Sequence, residues 1–243
     1  MSAFGRHLLL ASLLATSLPA QSALDHARRA QARLGPDLWS RVITVENDAR
    51  HSSYPKIVHA LVFELAGILW FYSATDGTQS FSLHRDNLAA EKADFGPLLR
   101  DIEPGFARWS EAAPAGGAPV DDGSPLRNGC FIESVVALRE RVARGEAAAE
   151  PRLLSYYATT SAGRLGHTVL TYRTGGRVEI LDPAQRERTF VFPLAAGADP
   201  LTLARALAGR DVVKARYLPL HAEAVLAGIA GDRTQTVAAA GLR

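Results

Sequence analysis

The sequence predicts an α+β fold in which a helix packs on an antiparallel sheet, preceded by a β-meander. Three observations predict it. Apolar and aromatic runs separated by short turn signals fill Ile57–His84. Between Gly129 and Arg144, Phe131, Val135, Leu138 and Val142 recur at helical spacing and make one apolar stripe. Strand-like runs follow, two of them joined through Gly175-Gly176. Hydrophobic residues are 47% of the 243, enough for a substantial core, and the single cysteine excludes an intrachain disulfide.

In chain order, residues 1–20 have the layout of an export signal: Arg6 and His7, then an apolar run of 13 residues from Leu8 to Ala20. Spanning a bilayer takes about 20 residues, so cleavage after Ala20, or after Ala23, is expected and not a permanent membrane segment. The mature chain is then exported, periplasmic or secreted. Ala23–Leu34 reads as a helix stopped by Gly35-Pro36, and Ser40–Val45 as a first strand. Ile57–Leu65, Ile68–Ala74 and Gln79–His84 form the meander, the last two joined at Asp76-Gly77. Asn87–Ile102 is helical, broken near Gly96-Pro97.

The Pro-, Gly- and Ala-rich stretch after it divides the chain. The boundaries are a leader at 1–20, a β-rich half at 21–111, a linker at 112–127, a core at 128–220 and a tail at 221–243. In the core, the 129–144 helix carries Glu133 in its first turn and Arg139, Arg141 and Arg144 in its last, matching its dipole. Strands follow at Leu153–Thr159, His167–Arg173, Arg177–Asp182 and Thr189–Pro193, then a helix at Leu201–Leu207 and a strand at Val212–Leu218.

Several function classes are absent from the sequence. The formal charge is +2 and acids interleave with the basic residues, so no nucleic-acid partner is implied. No His/Asp/Glu spacing of a metal site occurs, one cysteine cannot build a thiolate zinc centre, and no Gly-rich phosphate loop is present, so no metal or cofactor is expected. His26 and His51 lie in polar segments and read as solvated, whereas His59 and His84 read as half-buried strand residues. Trp70-Phe71-Tyr72 reads as core and sheet edge, with a substrate platform as the alternative.

The candidate site begins at Cys130. Asn128 is a favourable N-cap, which sets Cys130 in the first helical turn. Free backbone N–H groups and the positive dipole end there favour the thiolate, the nucleophilic form, and can serve an oxyanion. An unpaired thiol in an oxidising compartment is either such a nucleophile or an inert buried hydrophobe. His167 and Asp182 lie on one hairpin. With Gly175-Gly176 as a two-residue loop, they are diagonal neighbours on one face, about 7–8 Å apart at Cα, within reach of an imidazole–carboxylate hydrogen bond.

Cys at a helix start, His on a strand and Asp after the next strand resemble the papain-like superfamily, nearest its transglutaminase-like and bacterial cysteine-peptidase branches. The matching segments are Asn128-Gly129-Cys130-Phe131, Gly166-His167-Thr168-Val169-Leu170 and Val178-Glu179-Ile180-Leu181-Asp182-Pro183, within roughly the span 125–195. The resemblance implies a papain-like or transglutaminase-like core with a Cys130 nucleophile, a His167 base and an orienting Asp182. Phe131 stands where many members have Trp, and no Gln shortly precedes the Cys. Asn128 and Gln79 are the available oxyanion donors. The expectation is acyl transfer on a peptide or protein substrate, as a peptidase, an amidase or a transglutaminase-like enzyme. The other reading is a non-catalytic exported binding module that keeps the fold. An open cleft beside a paired Cys130 favours the enzyme, and a sealed Cys130 the module. Neither the oligomeric state nor the substrate's identity is legible.

Overall fold

A computed structural model describes residues 20–48, 56–73, 79–84, 88–102, 105–112, 123, 126, 128–145, 150–161, 163–183, 188–193, 199–209 and 211–218. The leader apart from Ala20, the Asp76-Gly77 turn, most of the 112–127 linker and the whole 221–243 tail lie outside the described residues, as does His51.

Helix α1 (Ala20–Leu34) is followed by β1 (Ser40–Asn47), β2 (Ile57–Leu65), β3 (Ile68–Ser73) and β4 (Gln79–His84). Short helices α2 (Leu88–Ala93) and α3 (Gly96–Ile102) and strand β5 (Phe106–Glu111) close the first half. The second half runs α4 (Cys130–Ala143), β6 (Arg152–Thr160), β7 (Gly163–Thr174), β8 (Arg177–Asp182), β9 (Arg188–Pro193), α5 (Pro200–Ala208) and β10 (Val212–Tyr217). The strands make two separate antiparallel sheets, ordered β4-β3-β2-β1-β5 and β10-β6-β7-β8-β9.

The period-two alternation of each sheet sorts its side chains onto two faces, and each face meets a helix. Leu61, Phe63, Leu65, Ile68, Trp70 and Tyr72 turn from the first sheet toward α1 and α4, and Leu153, Leu170 and Tyr172 approach the same helices from the second sheet. On the outer face of the first sheet, Val62, Leu69 and Phe71 pack against Phe95, Leu98 and Leu99. On the outer face of the second, Leu154, Val169 and Ile180 pack against Leu203, Ala204 and Leu207 of α5. The order of layers is therefore α3, sheet, α1 with α4, sheet, α5. The β-rich half is thus built into the core that holds α4.

Placement between two sheets explains why α4 buries more than its predicted stripe: Ile132 and Ser134 are buried along with Phe131, Val135, Leu138 and Val142. Two polar ties fix α1 beside it. Arg33 Nη1 donates to both carboxylate oxygens of Glu133 at 3.0 Å, and Arg139 donates to the Leu34 carbonyl.

The hairpin that carries His167 and Asp182 has the expected register. Thr174 pairs with Arg177 and Leu170 with Leu181 across Gly175-Gly176, whose φ values of 55° and 76° suit the type I′ geometry that favours Gly. Two findings differ from the sequence reading. Strand β5 was not expected, because FARWSE lacks an apolar alternation, and pairing with β1 supplies its ladder. His26 is only 6% exposed, not solvated. It lies on the α1 face that also buries Ala23, Ala27, Ala30 and Leu34.

Candidate active site

Chain entry to α4 is governed by a tight turn. Gly129 N–H donates to the Leu126 carbonyl at 3.0 Å, and Asn128 takes the left-handed region at φ 54°. Asn tolerates that region better than most residues. At Gly129 the crowding is steric, since a Cβ would stand 2.2 Å from the Leu126 Cβ. Asn128 is therefore not the N-cap expected from the sequence. Gly129 holds that position at φ −83° and ψ 10°, and among the described residues no side chain caps the helix. A capping side chain works from an extended N-cap residue, and Asn128 is committed to the turn. Among the described residues the amides opening α4 have no side-chain acceptor, and Cys130 is the first helical residue.

Cys130 is partly exposed and lines a small cleft with Asn128, Tyr72, His167 and Arg216. His167 Nε2 lies 3.0 Å from Asp182 Oδ1, and the Asp182 side chain is 3% exposed. The Cys130 side chain lines the same cleft as the imidazole. Burial disfavours the imidazolium. The hydrogen bond to Asp182 and the neighbouring Cys130 sulfur outweigh that and raise the His167 pKa from 6.5 to about 10. At neutral pH the site holds a protonated imidazole between a carboxylate and a sulfur. Tyr156 packs edge-on against this ring, with centroids 5.5 Å apart.

One buried contact sets the spacing of helix and strand. Ser134, one turn after Cys130, donates its hydroxyl to the carbonyl of Thr168, the residue after His167, at 3.0 Å. Ser134 is fully buried, so this bond is shielded from water.

No family model, curated protein or solved structure matches this chain. The site is thus read from its own geometry. Cys130, His167 and Asp182 come together. Asn128 is at the cleft wall in a turn role. Gln79 is on β4 opposite Ser73, and its side chain lies outside the described residues. Sequence reasoning placed Tyr72 in core and sheet edge, with a substrate platform as the alternative, and read His26 as solvated, so their contact was not expected. The period of the Ala-rich helix could have found His26, because positions 23, 26, 27, 30 and 34 form one helical stripe. Among the described residues no group of three or more His, Cys, Asp or Glu side chains is placed to hold a metal ion, and no helix is long and apolar enough to cross a membrane.

Proposed function

We propose that this protein is an exported cysteine hydrolase of the papain-like or transglutaminase-like kind, acting on an amide or peptide bond. The observation that carries the reading is that Cys130, the first residue of α4, lines one cleft with a His167 that buried Asp182 holds. With Nε2 committed to Asp182, Nδ1 is the nitrogen that serves the thiol. The thiol proton goes to His167 as the sulfur attacks the carbonyl carbon, forming a C–S bond while the carbonyl electrons move to oxygen. The amides opening α4 stabilise that oxygen. Collapse of the adduct breaks the C–N bond, and His167 gives its proton to the departing amine. Water then attacks the thioester carbon, losing a proton to His167; the C–S bond breaks, the acid leaves and the sulfur is set free for the next cycle. Water is the default second acceptor, so hydrolysis is favoured over cross-linking. A binding module that keeps the fold is the other reading, and it is supported by no feature of the cleft.

Export belongs to the same proposal. Cleavage after Ala20 retains the whole buried stripe of α1, whereas cleavage after Ala23 removes a residue that is 2% exposed. Ala20 is the site we expect, and intact mass of exported protein reads it directly. The chemistry is tested by alkylation with iodoacetamide and acylation with p-nitrophenyl acetate. Both should modify Cys130 in the wild type, both should vanish in Cys130→Ser, and both should slow in His167→Ala. A Cys130 that reacts like free cysteine and ignores His167 would return the protein to the binding-module reading.

A further inference from the structure

Among the described residues, the first sheet contributes one side chain, Tyr72, to the lining of this cleft. Along β3, Ile68, Trp70 and Tyr72 alternate onto the face that meets α4. Trp70 packs on Phe131, the residue after Cys130, with ring centroids 5.3 Å apart, and this contact fixes β3 against the first turn of α4. Tyr72, two residues on, lines the cleft with Cys130 and Asn128 and is 2% exposed. Behind it lies His26, whose Nε2 is 2.9 Å from the phenol oxygen and whose ring stacks on the tyrosine at 6.1 Å.

A buried hydrogen-bonded His–Tyr pair is a costly way to join a helix to a strand, since two apolar side chains would fill the space without desolvating polar atoms. What the pair adds is an oriented hydroxyl. A phenol oxygen accepts and donates at once. If His26 Nε2–H donates to it, the phenol proton is left for a second acceptor on the cleft side. Tyr72 also stays protonated: burial, then the negative charge of Cys130 and Glu133, push its ionisation far up. The phenol thus keeps its proton.

We propose that Tyr72 is the side-chain donor of the oxyanion hole, facing the open amides of α4 across the cleft, and that His26 is its positioning residue. This rests on the acyl-transfer reading above. It gives the β-rich half and α1 a part in the chemistry, and it assigns to Tyr72 the donor role for which Asn128 and Gln79 were the sequence candidates.

Two reagents that differ in one respect make the test. Acylation by p-nitrophenyl acetate builds negative charge on a carbonyl oxygen, whereas alkylation by iodoacetamide displaces iodide at a saturated carbon and builds none there. Tyr72→Phe keeps the ring and should slow Cys130 acylation by about tenfold or more, where loss of one oxyanion donor has cost 10²–10³ in a serine protease. Alkylation in the same variant should stay within about twofold of wild type, which also shows the site to be folded. His26→Leu should lower the acylation-to-alkylation ratio by a smaller factor, and His26→Gln, which still offers an N–H, should recover it. Asn128→Gly removes the competing amide while tolerating the positive φ, and should leave the ratio unchanged. A ratio unaffected by Tyr72→Phe overturns the proposal, as does a parallel fall in both rates. Wild-type Cys130 that alkylates but never acylates takes down the acyl-transfer reading itself, and this inference with it.

Discussion

The N-termini of α4 and α5 begin alike and are finished differently. At α5, Asp199 takes the extended N-cap conformation, at φ −105° and ψ 119°, and its carboxylate accepts from the amides of Leu201 at 3.2 Å and Thr202 at 2.8 Å. Pro200 fills the first helical position, where no amide is needed. Those bonds, the Thr202 hydroxyl first among them, hold the Asp199 carboxyl below its usual range. At α4 the N-cap is Gly129, among the described residues no side chain accepts from the amides, and Cys130 stands where α5 has proline. A capped terminus spends its donors on stability. An uncapped one with a sulfur at its first position leaves them for a negative group, as the acyl-transfer proposal requires.

The comparison breaks most severely if the imidazole can be disoriented at no cost to the fold. Asp182→Asn should slow Cys130 acylation by about 10- to 1000-fold, less than the 10⁴ seen in the serine-protease case, because sulfur needs less assistance than an alkoxide. Asn can still accept from Nε2 but brings no charge, and the melting temperature should move by only a few degrees, roughly what 1 kcal/mol does to a domain of this size. Unchanged acylation would remove Asp182 from the site and leave a Cys–His pair.

Stability should depend on pH through the same residue. The folded pKa of His167 lies above its ordinary value of 6.5, at about 10, so its contribution is complete below 6.5 and is lost as pH rises through about 10. Melting temperature should therefore fall from pH 7 to pH 10 in the wild type, and fall less in His167→Gln. Parallel curves for the two proteins would mean that the imidazolium is not held as described.

Giving α4 a cap of the α5 kind is the reverse experiment. Gly129→Ser supplies a hydroxyl, but its Cβ meets Leu126 at 2.2 Å, so crowding should win and stability should drop by about 1–3 kcal/mol. Denaturant midpoints read this, and a more stable variant would show that the open terminus is not sterically enforced. The smallest effect belongs to α5: Asp199→Ala should cost about 1 kcal/mol and leave the alkylation rate of Cys130 untouched. A change in that rate would mean the two termini are not independent.

What the sequence made legible was whatever a short period or a turn encodes. The Gly175-Gly176 hairpin sets its register by local geometry, so the pairing of His167 with Asp182 could be read from spacing alone. The stripe on α4 likewise put Cys130 in a first turn. Asn128 was misread because capping preference is a statement about composition, whereas the turn at Leu126–Gly129 decides the backbone angle. Strand β5 was missed because its residues carry little pattern of their own and β1 supplies the template. Tyr72 and His26 are 46 positions apart, and nothing local couples them. The tertiary packing of α1 on β3 does.

The two walls of the cleft belong to different sheets. Tyr72 comes from one and His167 from the other, and among the described residues no strand pairing joins them. What lies between is a pair of helices whose side chains interdigitate. The Ser134–Thr168 hydrogen bond ties α4 to the second sheet and the Trp70–Phe131 contact ties it to the first. The width of the cleft is therefore set through the side chains of one helix, not by a strand ladder.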